Sequence, residues 1–318
     1  MTVTAESGAA KAQQTKSNGG KTEVKILMLH GMFKLFSSPG IFSGPSGHGL
    51  RLRILSDSLA IACASISLTL NHLAHSHSLL GYTQSGPLFH AKTRALEKLL
   101  IKTLAPISLL PVLIYPTGPN RLLPKDIPGY QPPADGQDDD DWQPDTWAWF
   151  RKDDATGAYR YFDEGMAVIA STIRDAGGID GVCGFSQGGA TTGAVVAAME
   201  SDRPLPDGAA GDWARGLREA NGERPLKFAV SYSGFFGPVD MLKWCYDPKI
   251  KTPTLHYIGS LDTVVDESRS QGLIDRCEDP MAVVHPGGHH VPVSKEWVMP
   301  LAGFIKQHAQ EAQPKAGL

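Results

Sequence analysis

Apolar positions along this chain fall in two alternating patterns. Short, nearly continuous runs have the length of a buried strand, and the first is Val24-Lys25-Ile26-Leu27-Met28-Leu29. Similar runs predict strands at Ile107 to Tyr115, Gly181-Val182-Cys183, Phe228 to Ser233, Thr254 to Ile258 and Ala282-Val283-Val284. Pro111 weakens the middle of the second of these, because proline cannot donate to a sheet ladder. Between the runs, apolar residues recur every three or four positions. Residues 87–103 space Leu88, Phe89, Ala95, Leu96, Leu99 and Leu100 in this way, and residues 161–176 so space Phe162, Met166, Ile169 and Ile173. Helices are also expected directly after Ser186 and from about Ser294 to His308. Strands that alternate with helices predict an α/β fold: a mostly parallel central sheet with helices on both faces.

Five stretches lack either period. Residues 1–22 and 311–318 are polar and read as disordered tails, which leaves one domain over 23–310. Residues 116–150 are rich in proline and acid, including Asp138 to Asp141, and read as a lid or loop. Residues 202–224 form a polar excursion with a short helix. Residues 32–81 are rich in Ser, Leu and His, with a single acid, Asp57, and no sustained period.

Composition narrows the classes. A chain of 318 residues with 42% hydrophobic and 20% charged residues suits one large globular domain. A net charge of −3 gives no reason to expect a nucleic-acid partner. The run Ile54 to Leu70 carries Asp57 and several serines, so no membrane span is expected. Cys63, Cys183, Cys245 and Cys277 are scattered without a C-x-x-C pair, which favours a reducing compartment.

The chemistry is concentrated at Gly184-Phe185-Ser186-Gln187-Gly188, a G-x-S-x-G pattern between a predicted strand and a run of small residues. A serine on such a strand-to-helix turn is lifted above the sheet edge, and larger flanking residues would collide with the neighbouring backbone. The pattern predicts a nucleophile at Ser186, with an acid and then a histidine further along. Asp262 stands just past a strand end in Gly259-Ser260-Leu261-Asp262, with Asp266 as the rival. The last strand runs into His285-Pro286-Gly287-Gly288-His289-His290, where His289 is the expected general base and His285 and His290 are alternatives. The oxyanion would be held by the N–H of Gln187 and by a second amide from the loop after His30-Gly31, with His30 itself structural. No metal and no organic cofactor are expected, because the histidine trio lacks further ligands at a metal-binding spacing. Trp142, Trp147, Trp149 and Phe150 would either shape an acyl pocket or pack the lid onto the body. Arg121 reads as a surface arginine, and Cys183 as a core residue rather than a nucleophile.

Leu29-His30-Gly31, Tyr82-Thr83-Gln84-Ser85-Gly86, the elbow, Gly259 to Val265 and Gly287-Gly288-His289 together resemble the fungal serine hydrolase (FSH-type) family, over residues 24–31 and 81–309. The resemblance implies an α/β-hydrolase fold and a triad of Ser186, Asp262 and His289. It implies esterase or thioesterase chemistry on small-molecule acyl esters or thioesters, carrier-bound polyketides of secondary metabolism among them. It also implies a cytosolic or nuclear setting.

In that family the first strand reads directly into L-H-G-Y-T-Q-S-G. Here residues 32–81 stand between Gly31 and Tyr82. Cutting them out restores the family pattern, and Gly31-Met32 is compatible with a G-GTATG coding junction that resembles a fungal splice donor. The segment therefore reads as a retained intron or a gene-model error, with a genuine lid insertion as the alternative. Its position bears on activity, because the second oxyanion amide would come from Met32 or from Tyr82. A displaced loop would leave a catalytically impaired protein that binds a ligand or partner through the same cleft.

Overall fold

The computed structural model describes residues 20–31, 84–123, 126, 145–153 and 155–310. The expectations for 32–81, for residues 1–19 and 311–318 and for most of the acidic loop fall outside these residues; Thr22, expected in the tail, instead opens the first strand.

In chain order the elements are β1 (Thr22–Leu29), α1 (Gly86–Leu104), β2 (Leu109–Ile114), β3 (Asn120–Arg121), β4 (Trp147–Ala148), β5 (Arg151–Lys152) and β6 (Tyr159–Arg160). Then come α2 (Phe162–Asp175), β7 (Gly181–Phe185), α3 (Gln187–Ala198), α4 (Ala209–Ala220), β8 (Phe228–Tyr232) and α5 (Lys243–Tyr246). The last are β9 (Thr254–Gly259), α6 (Glu267–Ile274), β10 (Pro280–His285) and α7 (Lys295–Gln310). Six strands form one parallel sheet in the order β10-β9-β8-β7-β1-β2. The pieces β3 and β4, and β5 and β6, make two small antiparallel ladders.

The sheet separates two apolar layers, and the alternation of side chains sorts residues between them. Val24, Ile26, Met28, Cys183, Phe185, Phe228, Val230 and Tyr232 face α1 and α7. Leu27, Leu29, Val182 and Ala229 face α2, α3 and α4. Pro111 is tolerated because β2 is an edge strand. α1 begins where Ser85 Oγ accepts from Leu88 N (3.4 Å), with a proline in the first turn. α3 is buried along its whole length, as a helix of small residues between the sheet and α4 must be. The arrangement is the α/β-hydrolase fold.

A buried ion pair locks the turn after α3 to the segment that leads into β9. Arg203 Nη2 donates to Glu200 Oε2 (2.7 Å), with 1% and 5% of the two side chains exposed. The guanidinium also donates to the carbonyls of Trp244, Pro248 and Lys249, while Glu200 Oε1 accepts from the N–H of Lys251 and Thr252. Arg203→Met should therefore cost about 3–5 kcal/mol of stability, because it strands a buried carboxylate. Urea unfolding checks it. A midpoint unchanged from the natural chain would show that Glu200 keeps adequate partners without the guanidinium.

Candidate active site

The turn from β7 into α3 places Ser186, the first of the expected site residues. Ser186 takes φ 55° and ψ −114°, a conformation that side chains rarely adopt, and its N–H donates to Tyr232 O (2.8 Å). Such strain persists only where the surroundings enforce it. Here they do. A methyl group on Gly184 would strike the carbonyl of Gly188, and one on Gly188 would strike the carbonyls of Leu29 and His30. The elbow is thus wedged against the end of β1, and the Gln187 amide stands at the first position of α3, where the helix itself offers its N–H no carbonyl.

The other two groups arrive on loops after β9 and β10. Ser260 N donates to His285 O (2.9 Å) and Leu261 N to Gly287 O (3.1 Å), so the loops are stitched together. Asp262 Oδ1 accepts from the N–H of Val264 (2.9 Å) and Val265 (3.0 Å). That leaves Oδ2 to meet His289 Nδ1 at 2.7 Å, and His289 Nε2 stands 2.9 Å from Ser186 Oγ. A carboxylate only accepts, so Nδ1 carries the proton and Nε2 is left as the acceptor for the serine hydroxyl. Only 4% of the His289 and 3% of the Asp262 side chain is exposed, and the imidazole rests on the Phe185 ring at 4.8 Å. Burial alone would push the Asp262 carboxyl up. The hydrogen bonds from His289 and Val265, the His289 charge and the Val264 N–H outweigh it and hold the group below the usual carboxylate range.

The alternatives are occupied elsewhere. Asp266 caps α6 by accepting from Ser268 N (2.9 Å). His285 is buried beneath the loop and its Nδ1 accepts from Gly287 N (3.2 Å). Burial, then the neighbouring His290, lower its pKa. His290 is exposed. His30 is fully buried, its Nε2 accepts from Gly118 N (2.8 Å), and burial pushes its pKa down to about 3, which keeps the ring neutral. Cys183 is a buried core thiol whose pKa is pushed up by burial, and Arg121 is an exposed residue with its guanidinium 5.8 Å over Trp147. Among the described residues, no cluster of three His, Cys, Asp or Glu could hold a metal ion.

Met32, Tyr82 and Trp142 lie outside the described residues. Gly31 is described, and a methyl group there would meet the Phe185 carbonyl and sit 2.6 Å from Ser186 Cβ. The loop after β1 therefore begins in contact with Ser186. The expected pocket aromatics need a correction. Trp147 is partly exposed, and its Nε1 donates to Asp145 Oδ1 (2.7 Å). Trp149 and Phe150 are core residues, 0% and 3% exposed, packed with Phe162 and Met166. Phe150 stacks on Tyr159 at 4.0 Å. Full desolvation against the α2 side of the sheet leaves these two rings no open face. The packing alternative wins for this pair.

Sequence reasoning gave Gln187 only a backbone role and missed its side chain. Oε1 accepts from Trp149 N (2.8 Å) and Nε2 donates to Phe150 O (2.9 Å). The available signal was a long amide between Ser186 and Gly188, on a turn too crowded to expose it: a buried amide needs partners of its own.

A family model described as "Serine hydrolase (FSH1)" matches residues 75–301. The chain is 30% identical over 242 residues to "Family of serine hydrolases 2" of Saccharomyces cerevisiae, covering 72% of this chain and 96% of that one. It is 31% identical over 224 residues to a Schizosaccharomyces pombe protein named "Dihydrofolate reductase", covering 67% of this chain, and so spans only 43% of that relative's length. Among solved structures it is similar to Arabidopsis thaliana SOBER1, at 14% identity and a TM-score of 0.47, covering 91% of this chain and 100% of that one.

Proposed function

The chain belongs to the serine hydrolase (FSH1) family, and from that premise we propose that it hydrolyses ester or thioester bonds of small-molecule acyl substrates. Ser186 is the nucleophile, His289 the general base and Asp262 its partner. One observation carries this reading: the unbroken contact of hydroxyl, imidazole and carboxylate, at 2.9 and 2.7 Å, across three separate loops.

In the first step Ser186 Oγ attacks the acyl carbonyl while His289 Nε2 takes its proton. The buried Asp262 carboxylate stabilises the imidazolium that forms. The developing oxyanion is received by the Gln187 N–H and by a second amide, from Met32 or Tyr82, on the loop that starts at Gly31. His289 then returns the proton to the departing alkoxide or thiolate. Water, activated by the same imidazole, cleaves the acyl-enzyme and regenerates Ser186. Every step uses the chain's own groups.

The finer reading takes carrier-bound polyketide thioesters as substrates, on the strength of the motifs shared with the family. Its setting is cytosolic or nuclear, and the free, buried Cys183, Cys245 and Cys277 support a reducing compartment. Among the described residues no helix is long and apolar enough to cross a membrane.

A fluorophosphonate probe tests the chemistry, followed by mass spectrometry of the labelled peptide and by assays on p-nitrophenyl esters, acyl thioesters and peptides. The adduct is expected on Ser186, with turnover of esters and thioesters and none of peptides. An unlabelled, inert protein would leave only the ligand-binding reading. Peptide cleavage would move it to the proteases.

A further inference from the structure

His285 is the last residue of β10, and the loops that carry Asp262 and His289 are both fastened to it. Its carbonyl accepts from Ser260 N (2.9 Å), at the start of the Asp262 loop. Two residues on, across Pro286, the Gly287 N–H returns to the His285 ring and donates to Nδ1 (3.2 Å). Gly287 O in turn accepts from Leu261 N (3.1 Å). The turn is tight. A methyl group on Gly287 would sit 2.9 Å from His285 Nδ1 and would strike the His290 ring. His285 is 2% exposed, with the rings of His290 and Trp297 at 5.1 and 5.9 Å.

An Nδ1 that accepts puts the ring proton on Nε2. That nitrogen has no hydrogen-bond partner among the described residues. A buried N–H without an acceptor is destabilising, and an apolar ring would fill the same place without that cost. Packing therefore does not explain a histidine at the end of β10. The acceptor on Nδ1 does.

We propose that His285 is a positioning residue, whose Nδ1 fixes the loop that presents His289 to Ser186 and Asp262. This rests on the hydrolase reading above. His289 must keep two contacts at once, Nε2 at 2.9 Å from Ser186 Oγ and Nδ1 at 2.7 Å from Asp262 Oδ2. It follows Gly287 and Gly288, and glycine leaves a loop more backbone freedom than any other residue. The His285 ring removes that freedom at the Gly287 N–H, and Leu261 removes it at the Gly287 carbonyl. Without the ring acceptor, fewer molecules hold the imidazole in line with the hydroxyl, and turnover falls.

Two substitutions separate the acceptor from the ring. His285→Asn keeps an acceptor at the same bond distance from the backbone, Oδ1 in place of Nδ1, and gives up the ring. His285→Phe keeps a ring and gives up the acceptor. In His285→Phe, kcat on an acyl thioester, per active site counted by burst titration, should fall about ten- to a hundred-fold, the scale of small misplacements in an active site. His285→Asn should recover most of that loss. Melting temperatures should run in the other order, because asparagine leaves a cavity beside Trp297 and His290 that phenylalanine fills. A packing role would rank the two variants alike by rate and by melting temperature, or leave kcat per site unchanged in both. Either result would overturn the inference. A second readout needs no turnover. The far-downfield proton resonance of His289 Nδ1–H, bonded to Asp262, should persist in His285→Asn and vanish in His285→Phe, and its persistence in both would equally overturn the inference. If the natural chain proved inert, the hydrolase reading would fall, and this resonance would still decide the role of His285. If the phenyl ring is not accommodated, His285→Leu removes the acceptor at smaller volume, with the same expected loss of rate and of the resonance.

Discussion

Ser186→Ala should lower kcat by about 10⁶, the scale seen when a triad nucleophile is removed on its own. The argument is geometric. Ser186 Oγ is the hydroxyl 2.9 Å from His289 Nε2. Without Oγ no acyl-enzyme forms, so hydrolysis falls back on water. What remains, about 10³–10⁴ over the uncatalysed rate, reflects the oxyanion donors and binding. KM should change little, because the substitution removes a single oxygen. Stability should hold as well. Alanine meets the same strain at φ 55°, and the backbone bond from residue 186 to Tyr232 O survives. Initial rates on an acyl thioester, with a melting curve on the same sample, check both parts. A well-folded variant that keeps more than about a hundredth of the rate would place the chemistry at another residue.

The elements legible in the sequence are those whose pattern and burial agree. β1, α1, α2, β8, β9 and α7 end within about two residues of their expected bounds, because each buries one apolar face or two and local pattern and tertiary packing ask for the same thing. α6 was not legible. Glu-Ser-Arg-Ser-Gln-Gly-Leu-Ile carries two apolar residues at its end, and the helix starts because Asp266 caps it. The small ladders β3–β4 and β5–β6 have two residues per strand, too short for any period to register. At the site, the elbow is legible because glycine is demanded on both sides of Ser186 by backbone contacts, and Asp262 because it follows a strand end. The choice of His289 over His285 and His290 rests on the double glycine before it and on the family resemblance. The distances bring His289 to Ser186, bury His285 beneath the loop and leave His290 exposed. The contacts of Trp149, His30 and the Gln187 amide could not be read. They join residues 38 and 119 positions apart through single side chains, and no periodicity encodes that.

Asp262→Asn should lower kcat by about 10⁴ while leaving the site's shape intact, which makes it a test of the tautomer rather than of packing. Asp262 Oδ1 accepts from Val264 N and Val265 N, and an asparagine oxygen can keep both bonds. Its amide nitrogen then faces His289 Nδ1 in place of the carboxylate oxygen. A donor opposite Nδ1 stabilises the ring form protonated on Nε2, and that form has no lone pair for the serine proton. The charge that would steady the imidazolium is gone too. The same substitution has a signature in stability. The Asp262 carboxyl lies below its ordinary range in the folded chain, because the hydrogen bonds it accepts and the His289 charge overcome its burial. A depressed folded pKa contributes stability above the unfolded value of about 3.9, and that contribution fades as pH falls through the folded value. The natural chain should therefore lose more stability than Asp262→Asn on acidification below about pH 4. Urea midpoints for both proteins across that window, beside kcat at neutral pH, measure the two effects together. A variant with near-natural kcat would remove the carboxylate from the mechanism. Parallel stability curves would show that the charge on Asp262 contributes nothing to folding.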